Sequence, residues 1–91
     1  TVATNLYYIA REAVNNAIKH GKADEIRIRF EIREGSLAML ITDNGSGIAP
    51  ERHSGGLGLK TIEYRARIIG ATAKIFEMEG GGTCVAVTLP L

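Results

Sequence analysis

The chain has little of several things that would define its class. Its 91 residues contain one cysteine, two prolines and no tryptophan. The single thiol, Cys84, excludes an internal disulfide and any site with four cysteine ligands. Its place in an apolar alternation predicts a buried structural thiol. No apolar run approaches the roughly 20 residues of a membrane span, and no signal-peptide pattern opens the chain, so a reducing, cytoplasmic setting is expected.

An excess of charge of either sign is also missing. Eleven Lys and Arg residues face ten Asp and Glu residues, which gives a formal net charge of +1. A general nucleic-acid binder usually carries a basic excess, so nucleic acid is not expected as a partner. The length predicts one domain, residues 1–91. Because the chain opens almost inside a helix and without methionine, it is expected to be a fragment of a longer protein.

Apolar spacing of the helical period predicts two helices. The first is predicted over 6–17, with Thr4 or Asn5 as its cap and Gly21 as its end. The second is predicted over 57–69 and ends at Gly70. The arginines of the second helix, Arg65 and Arg67, are predicted to lie on the surface or to face a partner.

Apolar and polar residues alternate over 26–33, which predicts a strand, and a hairpin turn at 34–36 leads into a second strand over 37–42. Two further strands are predicted over 73–79 and 83–89, joined by three glycines. The first strand is expected to have one buried apolar face and one solvent face. The order of elements predicts the α+β class: a two-layer α/β sandwich with a mainly antiparallel sheet and both helices on one face.

Four polar residues share one stripe of the first helix, next to its apolar stripe: Glu12, Asn16, Lys19 and His20. An asparagine oxygen suits magnesium, and a lysine one turn later can meet phosphate charge. A glutamate one turn earlier can polarise an incoming nucleophile. The alternative is a solvated charged flank with pairs four residues apart.

One glycine-rich segment follows the second predicted strand, and another precedes the last predicted strand. Asp43 enters the loop Gly45-x-Gly47-Ile48, and its carboxylate, which only accepts hydrogen bonds, suits the amino group of adenine. The alternative is an ordinary Asp-Asn-Gly turn. Thr83 follows three glycines, and its hydroxyl can complete a base pocket directly or through water. A plain strand-start threonine is equally compatible with that position.

A third glycine cluster opens the second helix: Gly56-Leu57-Gly58-Leu59. Free N–H groups and the positive end of the helix form a natural anion site there. The segment is not a Walker A loop, since no Gly-Lys-Ser/Thr follows, and no parallel βαβ unit surrounds it. Alone, this cluster is weak evidence.

The ordered motifs Glu12-x-x-x-Asn16-Ala17-x-Lys19-His20, Asp43-x-Gly45-x-Gly47, Gly56-x-Gly58-Leu59 and Gly82-Thr83 resemble the ATP-binding (Bergerat) fold of the GHKL superfamily. That superfamily includes DNA gyrase, a heat-shock chaperone, MutL and sensor histidine kinases. The chain is most similar to the catalytic domains of histidine kinases paired with NarL-type response regulators. Compared with them it is truncated at its N-terminus, so one sheet edge is expected to be bare, and its lid between Gly47 and Gly55 is short.

The resemblance implies a protein histidine kinase domain that binds ATP or ADP with Mg²⁺. It implies that Asn16 binds magnesium, that Glu12 activates the acceptor, and that Lys19 and His20 contact the nucleotide. It further implies that Asp43 reads adenine, with Gly45, Gly47 and Ile48 beside the base and Thr83 completing the pocket. The phosphates would lie against the loop Gly56, Leu57, Gly58 and Leu59.

The same resemblance implies partners beyond this chain. His20 lies in the binding helix and His53 in the lid, so the phosphoacceptor is expected on a separate dimerising domain. The fragment is expected to be monomeric and to phosphorylate itself hardly at all, and the full-length protein to be a homodimer. Whether that protein is anchored in the inner membrane stays open. Alternatives are an anti-sigma-factor serine kinase or binding module, a GHKL clamp ATPase, and a degenerate protein-binding domain.

Overall fold

A computed structural model describes residues 1–46 and 59–91, which form two helices and one four-stranded sheet. The elements follow in the order α1 (Val2–Lys19), β1 (Ile26–Arg33), β2 (Ser36–Asp43), α2 (Leu59–Ile68), β3 (Thr72–Glu77) and β4 (Thr83–Pro90). In the described part of the chain, neither helix is long and apolar enough to cross a membrane.

The first helix begins earlier than its apolar spacing predicts. Its N-cap is Thr1, not Thr4 or Asn5, so the predicted cap is wrong. Asn5 lies within the helix and is buried, and its side-chain amide donates to the carbonyl oxygen of Thr1 at 2.8 Å. Asparagine is typical of helix caps, but here it lies inside the first turns of the helix, where its buried side-chain amide can donate to a backbone carbonyl.

Both helices end near the glycines predicted to end them, but in different ways. After α1, Gly21 donates its N–H to the carbonyl of Asn16, while Lys22 takes the left-handed conformation, with φ of 52°. After α2, Gly70 itself is left-handed at φ 73°, and the N–H of Ala71 bonds to the carbonyl of Ala66 at 2.8 Å. The second pattern is a Schellman ending, which favours glycine.

The sheet is fully antiparallel with strand order β1-β2-β4-β3. A two-residue turn joins β1 to β2, and both of its residues, Glu34 and Gly35, have positive φ. This is the geometry that suits the twist of a hairpin. The pairing of Thr42 with Cys84 places Asp43 and Thr83 side by side at one end of the two central strands.

The core lies between the helices and the two central strands. Its buried members are Ile9 and Ala13 of α1, Met39 and Ile41 of β2, Ile62 and Ala66 of α2, and Val85 and Val87 of β4. The two-layer α+β architecture predicted from the order of elements is confirmed. Cys84 is buried and forms no disulfide, as its apolar setting predicts.

The prediction of a buried face on β1 is wrong. Ile28, Phe30 and Ile32 are 47%, 59% and 74% exposed, although they lie on the same face as the core residues of β2. β1 is one of two edge strands, and in the described ranges it contributes only the half-buried Ile26 to the packing against the core, so most of its apolar face is left uncovered. An alternating pattern shows which face is apolar but not whether a helix covers it.

Candidate functional site

A pocket lies between α1, the ends of the central strands and the start of α2, and we refer to it as the inner pocket. The space between its walls is about 430 Å³ when the open mouth and the adjoining solvent are included. The polar residues that line it are Asn16, His20, Asp43 and Thr83, and the others are Ala13, Ala17, Gly21, Ile41, Leu59, Ile75 and Val85. Five residues predicted from separated motifs therefore meet here: Asn16, His20, Asp43, Leu59 and Thr83.

The carboxylate of Asp43 is held in place by its own loop. Its Oδ1 accepts the N–H of Gly45 at 2.8 Å, which leaves Oδ2 to accept a further hydrogen bond. The side chain is half-buried at the pocket wall. The loop thus fixes one oxygen of a carboxylate whose residue lines the pocket.

Gly45 is required by protein packing. A Cβ at this position would lie 2.5 Å from the carbonyl oxygen of Gly21. That same carbonyl accepts the N–H of Ser46 at 2.8 Å. The backbone at Gly45 therefore contacts the backbone at Gly21, which holds the C-terminal end of α1 beside Asp43. A Cβ on Gly82 would similarly overlap the carbonyl oxygen of Asp43.

Asn44 fixes the same loop from its outer side. Its Oδ1 accepts the backbone N–H groups of Asp24 and Glu25 at 3.1 and 3.0 Å, and its Nδ2 donates to the Asp24 carboxylate at 2.7 Å. These bonds join the segment after α1 to the segment after β2. Asn44, which lies between Asp43 and Gly45, thus holds the two segments together. Its sequence motif did not predict this role.

The apolar wall of the pocket contains residues to which motif reasoning gave no role in the site. Ala13 and Ala17 are buried, one turn apart on α1, and line the pocket opposite Ile41 and Val85 of the sheet. Alanine has no side chain beyond Cβ, so the wall leaves space where a larger apolar residue would fill it. The signal in the sequence was the four-residue spacing of two small residues within the apolar stripe.

The remaining predicted residues fall into two groups. Lys19 is exposed at the last position of α1 and does not line the inner pocket, and Gly45 contributes through its backbone as described above. Gly47, Ile48, Gly56, Leu57 and Gly58 lie outside the described residues, as does His53. Their predicted roles stay predictions.

Glu12 lines a second cavity, which lies between the two helices and is named here the interhelical cavity. Its volume is about 420 Å³ including its open mouth, and its walls are Tyr8, Arg11, Glu12, Asn15, Thr61 and Arg65. Because Glu12 and Asn16 are one turn apart on α1, and Leu59 and Thr61 belong to the first turn of α2, the two cavities are neighbours.

Arg65 was predicted to lie on the surface or to face a partner, and the surface alternative is wrong because the residue is half-buried. Its Nη1 donates to the Oδ1 of Asn5 at 3.2 Å, and its guanidinium carbon lies 4.4 Å from the centre of the Tyr8 ring. Arg65 therefore ties α2 to the N-terminal half of α1. Arg67, two residues further along α2, is exposed as predicted.

The possible metal ligands of the inner pocket suit a metal ion whose other ligands come mainly from a bound anion. In residues 1–46 and 59–91 no group of three or more His, Cys, Asp or Glu residues could hold a metal ion. Asn16 offers an amide oxygen at the pocket wall. Mg²⁺ commonly takes one or two protein oxygens, keeps waters and completes its shell with substrate phosphates, so a single amide ligand fits it.

These features define a class: a two-layer α+β domain with a pocket formed by a helix and the ends of antiparallel strands. Residues 1–91 match the family model described as histidine kinase-, DNA gyrase B-, and HSP90-like ATPase. The chain belongs to this family. The resemblance found in its motifs is thereby confirmed.

Its relatives are sensor kinases. The chain is 31% identical over 91 residues to the sensor histidine kinase LiaS of Bacillus subtilis, covering 99% of this chain and 25% of LiaS. It is 38% identical over 86 residues to the nitrate/nitrite sensor protein NarQ of Escherichia coli, covering 92% of this chain and 15% of NarQ. The chain thus spans a quarter or less of the length of these two relatives.

Solved structures show the same fold. The ATP-binding domain of PrrB from Mycobacterium tuberculosis superposes with a TM-score of 0.79 at 27% identity, covering 96% of this chain and 67% of that one. The histidine kinase domain of a blue-light activated kinase from Erythrobacter litoralis gives a TM-score of 0.82 at 24% identity, covering 99% of this chain and 45% of that one. The predicted fold is therefore confirmed: it is the fold of histidine kinase ATP-binding domains.

Proposed function

We propose that this domain binds ATP with Mg²⁺ in the inner pocket and donates the γ-phosphoryl group to a histidine on a separate, dimerising domain of the same protein. The observation that carries the proposal is the meeting of Asn16, His20, Asp43 and Thr83 around one pocket, although they come from three separate motifs. The relatives named above are sensor kinases, which does not favour a serine kinase or a clamp ATPase.

The pocket supports one orientation of the nucleotide. Asp43 and Thr83 lie at the end of the central strands, and the contact of Gly45 with Gly21 places the C-terminal end of α1 beside them. The free Oδ2 of Asp43 suits the adenine amino group. Asn16 lies one turn further back along α1. The base therefore lies at the Asp43 end and the phosphates near Asn16 and the start of α2.

Asn16 is the residue that would hold Mg²⁺, together with the phosphates. When bound, the ion neutralises charge that develops as the phosphoryl group is transferred. The positive end of α2, which begins at Leu59 on the pocket wall, favours the same negative charge. Lys19 and the glycine loop from Gly56 to Gly58 would add donors, and the loop backbone would contact the phosphates directly.

The transfer itself needs an acceptor nitrogen and a base. The lone pair of an imidazole nitrogen forms the new bond to the γ-phosphorus, while the bond from that phosphorus to the bridging oxygen breaks and ADP leaves with its electrons. The proton of the other ring nitrogen passes to a base. Glu12 lines the neighbouring cavity and is the carboxylate best placed to take it.

The further partner is a response regulator that receives the phosphoryl group. The similarity to NarQ supports a regulator of the NarL type. In the full-length protein the phosphoacceptor helices would bring two such domains together as a homodimer, whereas the 91-residue domain alone would bind nucleotide as a monomer. Its location would be cytoplasmic, where ATP and the regulator are found.

Calorimetry with Mg-ATP tests the site. Asp43→Ala and Asn16→Ala should each weaken binding at least about tenfold, since each removes a polar contact to the ligand. The dependence on magnesium should disappear in Asn16→Ala. Ile32→Ala, on the far edge strand, is the matched control and should bind as the parent does. Unchanged affinity in both pocket variants would refute the assignment.

A further inference from the structure

Two observations outside the inner pocket call for a function. The interhelical cavity is lined largely by polar side chains, and Glu12 is one of them. Arg65, a residue of the same wall, is committed to contacts with Asn5 and Tyr8 instead of extending into solvent. We propose that this cavity receives the imidazole of the phosphoacceptor histidine and that Arg65 is the residue that positions its walls. This inference rests on the proposed function.

The position of the cavity follows from the helix that forms both sites. Glu12 and Asn16 lie four residues apart on α1, about 6 Å along its axis, and the C-cap His20 follows four residues after Asn16. Asn16 and His20 line the inner pocket and Glu12 lines the interhelical cavity. With the base near the C-terminal end of α1 and the phosphates near Asn16, the next turn is where an attacking group would stand.

The chemistry of the walls suits that group. Arg11 and Arg65 carry two positive charges against the single carboxylate of Glu12. An anionic phosphoryl group in transit is stabilised by such cations, and the carboxylate can accept the imidazole proton. Thr61 adds a hydroxyl from the first turn of α2, on the side of the phosphates.

Arg65 sets the distance between the two walls. The Oδ1 that it binds belongs to Asn5, which is only 7% exposed and whose Nδ2 is bonded to Thr1. Its guanidinium also stacks on Tyr8, whose ring lines the cavity one turn before Glu12. A planar guanidinium can satisfy both contacts at once, whereas an ammonium cannot. Loss of Arg65 should therefore let the N-terminal half of α1 move relative to α2.

The test uses the full-length kinase that contains this domain, at saturating Mg-ATP. Arg65→Gln should reduce the first-order rate of phosphohistidine formation by about tenfold or more, because small displacements of reacting groups have effects of this size. The KM for ATP should stay within about twofold, since no residue of the inner pocket changes. Arg67→Gln, which removes the exposed arginine of the same helix, is the matched control and should react as the parent does.

Two further variants separate positioning from general stability. Asn5→Ala should slow the reaction in the same way, and the double variant with Arg65→Gln should lose no more than the worse single variant, because both remove one link. Arg65→Lys, which keeps a cation over Tyr8, should lie between the parent and Arg65→Gln. Thermal unfolding measures the fold in each case.

The outcomes are distinct. An unchanged rate at saturating ATP, a loss matched by Arg67→Gln, or a loss explained by the unfolded fraction alone would overturn the role of Arg65. A parent protein that binds no ATP would instead overturn the proposed function, on which this inference depends. A slowed transfer with intact ATP binding and coupled effects at Asn5 and Arg65 supports both.

Discussion

Exchange of the Asp43 carboxylate for an amide separates its proposed contact with adenine from its contact with its own loop. In Asp43→Asn, Oδ1 can still accept the N–H of Gly45, which lies at 2.8 Å in the parent. The second oxygen, however, becomes an NH₂ group and faces the amino group of the base, donor against donor. The fold is therefore expected to survive while the base loses its acceptor.

The size of the effect follows from the charge of the lost acceptor. A hydrogen bond to an ionised group contributes about 1.5–3 kcal/mol, which corresponds to about a 10- to 150-fold rise in the Kd for ATP. Calorimetry and thermal unfolding measure the two expectations together. Asp24→Asn is the control, since it makes the same change on an exposed carboxylate that accepts from Asn44. If Asp43→Asn bound ATP as the parent does, Asp43 would not read the base.

The remaining predictions concern the fold around the pocket. Gly82→Ala should lower the free energy of unfolding by about 1–3 kcal/mol more than Gly80→Ala. Both glycines have positive φ, but only a Cβ at position 82 would overlap the carbonyl of Asp43. Equal losses of stability in urea denaturation would contradict this close approach. Ile62→Ala should lower the free energy of unfolding by about 2–5 kcal/mol and Ile68→Ala by about 0.5 kcal/mol or less, since Ile62 is fully buried and Ile68 is 52% exposed. Similar melting temperatures of the two variants would contradict the described core. Burial raises the pKa of the Cys84 thiol, an effect that the charge of Arg29 opposes, so alkylation at pH 8 should be at least about tenfold slower in the folded than in the urea-unfolded chain. Because the folded thiol holds its proton more tightly, the stability it contributes is present at neutral pH and is lost as the pH rises through its folded pKa.

Much of the fold followed from local patterns. The helical stripe of α1, the hairpin turn before β2 and the glycine after α2 each predicted the element that the structure contains, because local periodicity and turn chemistry determine these features. The exposure of Ile28, Phe30 and Ile32 was not predictable in this way. It depends on which strand lies at the edge of the sheet, which is a matter of tertiary arrangement.

The residues of the candidate site also fall into those that local patterns predict and those that tertiary contacts determine. Asn16, Asp43 and Thr83 could be found from motifs, since each residue type has its own chemistry and each occurs at an element boundary. Arg65 and Asn44 could not, because their roles consist of contacts with residues 60 and 20 positions away in the sequence. A single exposed-looking arginine in a helix gives no local sign of the partner that will cover it.

Nuclear magnetic resonance of the domain titrated with Mg-ADP tests the central claim most directly. If one nucleotide bridges the two ends of the inner pocket, the amide signals of Gly21, Asp43 and Thr83 should shift together and saturate at one common Kd. The signals of Glu34 and Gly35, in the hairpin at the far end of β2, should stay in place. Shifts confined to that hairpin, or none in the three pocket residues at millimolar ADP, would contradict the account.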